Sequence, residues 1–349
     1  MVDNLNNKEK LNRAIDRGTD YLFDHQLPNG EFLFYMSNDD AMLEWNLPES
    51  SIFPTAIIGT CLLDLKGDKR INEILLKSAH FLKHQMDRGG TWNHYTITHR
   101  WRKLLPQDLD DTACVSYFLE AMNFKIPSEY NKQIMIDNRN SYGLFYTWLT
   151  FRWRFNKNKT YWYLASREIK HFFKSMLFWH THQCTRYDID AVVNANILFY
   201  VGKCKETSAI APYLTNIIKK NKEDDCDTWY RNTLTVYYFI SRNIATGINE
   251  LQDIAPIIVD RILKKQNVDG SFGESSLDNA LAISSLIYSG YKGKEINNAI
   301  AQLLKQQNKN GNWDRRAFYY GGPKKLSSFG SEELTTAFCL EALVRFKNL

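Results

Sequence analysis

Three carboxylates crowd into four positions at Asp108-Leu109-Asp110-Asp111, just ahead of the apolar run Ala113-Cys114-Val115-Ser116-Tyr117-Phe118-Leu119. A helix starting there would carry all three acids against a buried face. Three negative charges on one dry patch are costly, so at least one of these acids is expected to have a raised pKa and keep its proton. A protonated acid facing an apolar, aromatic-lined cavity is what a reaction needs if it opens by protonating an alkene. An Asp-x-Asp-Asp run also serves as an ordinary N-cap and partner of the helix dipole. The elements that position it must decide between the two.

A short phrase recurs along the chain. Gln26-Leu27-Pro28-Asn29-Gly30-Glu31-Phe32, Gln266-Asn267-Val268-Asp269-Gly270-Ser271-Phe272 and Gln307-Asn308-Lys309-Asn310-Gly311-Asn312-Trp313 all read Gln-x-x-x-Gly-x-aromatic. Gln85 to Trp92 is a looser copy with one extra residue, and Gly143-Leu144-Phe145 reads as a worn one. The Gln ends a helix, the Asn/Asp-Gly pair makes a tight turn, and the aromatic folds back on the helix end. Such copies mark a repeated supersecondary unit.

Around the copies two sets of helical segments alternate. Polar, amphipathic stretches fall at roughly 8–25, 70–85, 160–178, 207–221, 250–266 and 294–307. Nearly apolar stretches fall at roughly 54–65, 110–122, 188–201, 229–241, 277–289 and 332–345. An amphipathic helix buries one face, whereas a helix apolar all round is enclosed. The expected fold is therefore all-α: one (α/α)6 toroid of six inner and six outer helices over residues 1–349, with no sheet beyond short hairpins. The long irregular stretches near 26–53, 87–108 and 140–160 lead to inner-helix starts, at one mouth of the barrel, and long ordered loops tend to be functional.

The repeat, the helical order and Asp108-Leu109-Asp110-Asp111-Thr112-Ala113 together resemble the class II terpene cyclases, which include squalene–hopene cyclases and bacterial drimane-type and diterpene cyclases. The resemblance spans essentially the whole chain, but as one domain. The second domain usually inserted near the N-terminus in that family has no room between the first helix and residue 54. The repeat itself is shared with protein prenyltransferase β subunits, so it speaks to fold more than to chemistry. The acidic motif is the specific part. The resemblance implies a protonation-initiated cyclisation of an isoprenoid, with Asp110 as proton donor and Asp108 and Asp111 holding and tuning it. A C15 or C20 prenyl diphosphate with the diphosphate retained is the expected substrate. Protonation calls for no cofactor, and Mg2+ enters only as a companion of a substrate diphosphate.

Aromatics make up 14% of the 349 residues, more than packing alone usually asks for. Trp45, Phe53, Phe145, Trp148, Trp229, Tyr230 and Phe329 lie at or beside inner-helix starts and suit the lining of an isoprenoid cavity. Phe329 sits where the resemblance places an aromatic near the C-terminus. Each is equally a core residue by its type. Asp190 and Asn194 share a helical face and are expected at the same mouth as Asp110, as contacts to substrate or acid cluster, or else as an N-cap and a buried amide. Arg100, Arg102, Arg152 and Arg154 are the cations that would hold a diphosphate.

Other classes are bounded by composition. The net charge of +5 is spread along the chain, without the basic stripe of a nucleic-acid binder. No apolar run is long enough to span a bilayer, which leaves peripheral membrane contact and oligomeric state open. The N-terminus lacks a signal-peptide core, and the 6 cysteines form no Cys-x-x-Cys pair. They read as free thiols of a cytoplasmic protein. Asp224-Asp225-Cys226 lacks a later His, so no metal site is expected. Two alternatives stay open. One is a carbohydrate-active α/α barrel pairing Asp110 with Asp190 or Glu332. The other is a non-catalytic toroid that binds an isoprenoid or a protein.

Overall fold

In the computed structural model, residues 2–150, 152, 158–182, 184–321 and 327–349 are described. Six inner helices follow one another around a ring: α2 (Phe53–Cys61), α4 (Leu109–Ala121), α8 (Ala191–Val201), α10 (Thr233–Ala245), α13 (Ser276–Tyr288) and α15 (Glu332–Lys347). Each packs on the next, and α15 packs back on α2 to close the ring. They are enclosed because their sequences offer no polar face: all of Ala191 to Leu198 in α8 is buried.

Outside them lie α1 (Val2–His25), α3 (Lys69–His84), α5 (Ser128–Asp137), α9 (Ile210–Lys219), the short α11 (Asn249–Gln252) with α12 (Ala255–Leu263), and α14 (Lys294–Lys305). One expectation is corrected here. The third outer helix is α5, not 160–178. Asn131 of α5 donates to Ser116 Oγ on α4 (2.8 Å) and accepts from Tyr200 OH on α8 (3.0 Å), which wedges this helix between two inner ones. The stretch at 160–178 instead forms a bent pair, α6 (Lys159–Lys170) and α7 (Phe172–His182), beside the mouth.

The α7 stripe is turned outward. Phe173, Met176 and Leu177, spaced as one helical face, are 85%, 54% and 59% exposed. No helix among the described residues is long and apolar enough to cross a membrane.

The recurring turn works as a clamp. Gln26 donates to Gly30 O within its own turn (3.1 Å) and to Ile74 O on the next outer helix (3.0 Å). Gln266 and Gln307 repeat the pattern on Glu295 O and Ala14 O. The last contact ties the C-terminal part of the ring to α1. The glycine is obligatory there: Gly311 has φ +98°, and a Cβ would sit 2.2 Å from Arg17 O. Each turn's aromatic donates its backbone N–H to a side chain on the next inner helix. The pairs are Phe32 with Thr55, Trp92 with Thr112, Phe272 with Asn279 and Trp313 with Thr336.

The strands are short, but they go beyond hairpins. β1 (Phe34–Ser37), β2 (Leu47–Glu49), β5 (Tyr319–Tyr320) and β6 (Ser328–Gly330) form one sheet in the order β2-β1-β6-β5. The β1–β6 pair joins residues nearly a whole chain apart and brings Met36 opposite Phe329. β3 (Gln107–Asp108) pairs with β4 (Trp148–Leu149), placing Asp108 opposite Trp148. These pairings roof the same end of the ring at which α4 begins.

Candidate active site

α4 starts with Asp108 at its N-cap, whose carboxylate accepts the Asp110 backbone N–H at 2.7 Å. This is the ordinary capping role, and it fixes the first turn. Asp110 and Asp111 then point from that turn into the ring, and all three acids line a cavity of about 400 Å³. That volume falls in the range of small-molecule sites, roughly 300–1,000 Å³.

The three acids differ in their partners. Asp110 Oδ1 accepts from Asn196 Nδ2 on α8 at 2.6 Å, and its Oδ2 accepts from Tyr230 OH at 2.6 Å. Asp111 is 1% exposed, and neither of its oxygens has a hydrogen-bond partner. His94 Nδ1 lies 3.5 Å from its Oδ2, too long for a good hydrogen bond. Burial raises the pKa of all three. For Asp108 and Asp111 the neighbouring aspartates raise it further, while for Asp110 the bonds from Tyr230 and Asn196 pull the other way. His94 does not supply a compensating charge. Desolvation pushes its pKa down to about 4, so the imidazole is neutral at physiological pH.

Around the acids the walls are aromatic. Phe53, Trp148, Phe178, Trp229, Tyr230, Tyr319 and Phe329 all contribute. Trp148 packs edge-on against Trp229 at 5.4 Å between centroids, and Tyr319 stacks on Phe329 at 5.0 Å. Such faces stabilise cations, most strongly where water is excluded. The mouth is more polar. Glu49 Oε2 bonds His99 Nε2 at 2.7 Å, Tyr95 stacks on His99 at 4.1 Å, and Arg100 lies over Trp101. Leu177, Phe178 and Thr181 of α7 complete the rim, so the outward apolar stripe runs into the entrance.

The structure therefore brings Asp108, Asp110, Asp111, Phe53, Trp148, Trp229, Tyr230, Phe329 and Arg100 to one cavity. It does not bring Trp45 there, which is 45% exposed on the roof. Phe145 and Asn194 face each other in the wall: Asn194 Oδ1 accepts from Phe145 N and its Nδ2 donates to Phe145 O. That is the aromatic clamp again, with Arg139 in the Gln position, donating to Glu206 O. Asp190 occupies the N-cap position of α8 without capping it. It accepts instead from Thr147 Oγ1 at 2.6 Å and Thr228 N at 2.9 Å.

Among the described residues, Arg102 and Arg152 do not join Arg100 at the cavity. Arg102 is buried on Asp87 and Tyr95 O, and Arg152 on Asn138 and the Trp148 and Arg186 carbonyls. Arg154 lies outside the described residues. Glu332 pairs with Arg315 and, like Asp190, does not line the cavity, so neither supplies the second carboxylate of a sugar site.

Sequence reasoning missed His94, Asn196, Glu49, Tyr95, Tyr319 and the α7 rim. Asn196 was within reach, lying in the same inner-helix start as Asn194. Tyr319 was not, because only the β5–β6 pairing carries it to the mouth.

No family model matches the chain, and no curated protein matches it. Solved structures do. The chain is similar to the type II terpene cyclase MstE from Scytonema in complex with its substrate geranylgeranyl dihydroxybenzoate, at 15% identity over 97% of this chain and 98% of that one, with a TM-score of 0.70. A protein from Actinoplanes matches with 16% identity, 97% and 99% coverage and a TM-score of 0.70. ent-Copalyl diphosphate synthase from Streptomyces platensis matches at 15% identity over 85% of this chain and 50% of that chain, with a TM-score of 0.59. At these identities the likeness is one of fold: the toroid is that of the type II terpene cyclases.

Proposed function

We propose that the protein is a class II terpene cyclase, in which residues 1–349 act as one barrel and Asp110 is the acid that starts the reaction. The observation that carries this reading is the Asp110 carboxyl, buried with a raised pKa and opening onto an aromatic cavity. The shared fold supports it.

In the proposed step, the Asp110 proton adds to the terminal carbon–carbon double bond of a prenyl chain. The π electrons form the new C–H bond and leave a tertiary cation. Each following double bond attacks the cation before it, closing rings until a proton is lost or an internal nucleophile is captured. Asp110 becomes a carboxylate, held by the donors Tyr230 and Asn196, and takes up a proton before the next turnover. Asp108 fixes the turn that aims Asp110. Asp111, whose oxygens receive no hydrogen bond, has its own pKa raised by burial and by Asp110 and so keeps its proton beside the acid. Trp148, Trp229, Phe53, Tyr230 and Phe329 would face the migrating charge.

For the substrate we propose a C15–C20 prenyl chain bearing a small carboxylate or hydroxylated head rather than a diphosphate. Among the described lining residues Arg100 is the only Lys or Arg, and Glu49 lies at the same mouth. Among the described residues a doubly to triply charged diphosphate would meet a single cation there. A prenylated aryl acid of the kind bound by the Scytonema enzyme would suit this lining, its apolar chain directed at Asp110 and its hydrogen-bonding head at Glu49, Tyr95 and Arg100. The apolar α7 stripe beside the rim gives such a water-insoluble substrate a place to arrive, either from a carrier or from a bilayer surface.

The test is mass spectrometry of products after incubation with farnesyl and geranylgeranyl chains carrying a diphosphate, an alcohol or a hydroxybenzoate head. Cyclised hydroxybenzoate with no change in mass is the expected result. Turnover of the diphosphate alone would restore the diphosphate reading. No cyclisation of any arm by protein that binds the chains would favour the non-catalytic toroid.

A further inference from the structure

The hydrogen bonds around Asp110 decide more than its position. Asn196 lies between Asp110 and Arg242, a guanidinium 3% exposed on α10. Arg242 Nη2 donates to Asn196 Oδ1 at 2.6 Å, and Asn196 Nδ2 donates to Asp110 Oδ1 at 2.6 Å. A guanidinium can only donate. The amide of Asn196 therefore has one permitted orientation, oxygen to Arg242 and nitrogen to Asp110. The flipped amide would set N–H against N–H. Arg242 itself is held in place by aromatic faces, with Phe199, Phe239 and Tyr238 at 4.3, 4.8 and 5.3 Å from the guanidinium carbon.

The consequence falls on the acid. In a neutral carboxyl group one oxygen is a carbonyl and the other a hydroxyl, and the carbonyl is the better acceptor. An amide N–H locked onto Oδ1 selects Oδ1 as the carbonyl, because that N–H can only donate whereas the Tyr230 hydroxyl at Oδ2 can donate or accept. We propose that Arg242, acting through Asn196, confines the transferable proton to Asp110 Oδ2, the oxygen on the Tyr230 side. This inference rests on the reading of Asp110 as the initiating acid. With the opposite arrangement the proton would lie toward α8, away from any substrate. Tyr230 OH, 2.6 Å from Oδ2, then stabilises the carboxylate left on that oxygen. Arg242 is thus a positioning residue, and its positive charge also opposes the weakening of the acid by burial.

The charged and titratable groups facing Asp110 are Asp108, Asp111 and Cys114 on its own helix, His94 in the preceding loop, and Tyr230 with Arg242 across the ring. The test is a cycle of Arg242→Met, Asn196→Ala and the double variant. Arg242→Lys, which keeps donor and charge, is the rescue control, and circular dichroism confirms folding.

Removing a charge-assisted hydrogen bond should lower kcat on the order of 10- to 100-fold for Arg242→Met, with KM nearly unchanged. The double variant should be no slower than Asn196→Ala, because Arg242 acts through Asn196. The alkaline limb of kcat should move to higher pH in Arg242→Met. A titration of the protonated carboxyl by infrared absorption should show the same displacement in the absence of any substrate.

Additive losses, or an unmoved carboxyl titration, would overturn the inference while leaving Asp110 as the acid. Full turnover by Asp110→Asn would remove the underlying reading instead. If Arg242→Met fails to fold, Arg242→Lys and Asn196→Ala still decide by whether the carboxyl titration moves in the alanine variant alone.

Discussion

Two groups of buried aspartates stand at the starts of neighbouring inner helices, and they differ in what surrounds their oxygens. Asp190 and Asp227, at the approaches to α8 and α10, are supplied with donors on every oxygen: Thr147 Oγ1 and Thr228 N for Asp190, and Trp229, Tyr230 and Val192 N for Asp227. They tie the entry loops of two inner helices together. Asp108, Asp110 and Asp111 are as deeply buried, yet Asp111 receives no hydrogen bond at all. The first pair faces a polar surface groove shared with Asp224 and Asp225, and the second group an aromatic-walled cavity. The same residue type, at the same topological place, thus braces two loops against a polar groove in one case and, in the proposed mechanism, faces an aromatic cavity as an acid in the other.

The sharpest break of this comparison is Asp110→Asn set beside Asp190→Asn. Amide and acid are nearly isosteric, so both proteins should fold. A general acid is worth about 10²–10⁴-fold, and turnover by Asp110→Asn should fall by at least the upper end, because in the proposed mechanism Asp110 is the acid that forms the cation. Asp190→Asn should stay within severalfold of the parent. Equal losses in product formation would erase the distinction between acid and brace.

Stability against pH reads the Asp190 brace on its own, through its substitution. The folded-state pKa of Asp190 is pushed up to about 6 by burial, against about 3.9 in an unfolded chain. The folded protein therefore holds the proton more tightly. That contribution is fully present below about pH 4 and is lost as pH rises through about 6, up to about 3 kcal/mol in all. Urea unfolding between pH 4 and 7 should show a steeper decline in the parent than in Asp190→Asn, where the other raised aspartates still contribute. His94 works in the opposite sense, since its folded pKa is depressed to about 4. Its contribution is present above about 6.5 and lost as pH falls, so its own variant must be measured alongside. Activity should follow Asp110 instead, flat at low pH and falling as pH rises through its raised pKa.

Much of this is legible in the sequence. The toroid follows from two helix classes that differ in whether a polar face exists, and the acid cluster from three like charges beside an apolar run. The third outer helix was misplaced because 128–137 is short and only weakly amphipathic, whereas 160–178 has a strong apolar periodicity. That periodicity turns out to face solvent at α7, and no sequence pattern tells which side of a helix its neighbours will occupy. The arginines misled for a related reason. Arg102 and Arg152 read as free cations in basic loops, but their fork of donors is used to pin loop carbonyls. Arg139 hid a copy of the repeat because a guanidinium can replace the clamp amide of Gln.

Asn194 sharpens the contrast between wall and chamber. Its amide closes two hydrogen bonds on the Phe145 backbone, both buried. Asn194→Leu leaves those backbone groups without partners, at a cost of about 1–3 kcal/mol each. A lowered urea midpoint with kcat unchanged in the surviving folded fraction is the expected outcome. A kcat loss without any loss of stability would return Asn194 to the substrate.

The smallest effect belongs to the wettest charge. Arg100 is exposed at the mouth, stacked on Trp101, and an ion pair formed in that setting is worth about 0.2–1 kcal/mol. Water screens it on one side, whereas Asp110 is enclosed on all sides. Arg100→Gln should therefore raise KM for a carboxylate-headed prenyl substrate by no more than about fivefold and leave kcat alone, because the head group does not change charge while the cation forms at the far end. Added salt should reduce the difference between Arg100→Gln and the parent, and the matching neutral alcohol should show no difference. If Arg100→Gln instead lowered kcat on both substrates, charge at the mouth would be felt at Asp110, and the cavity could not be as dry as its lining implies.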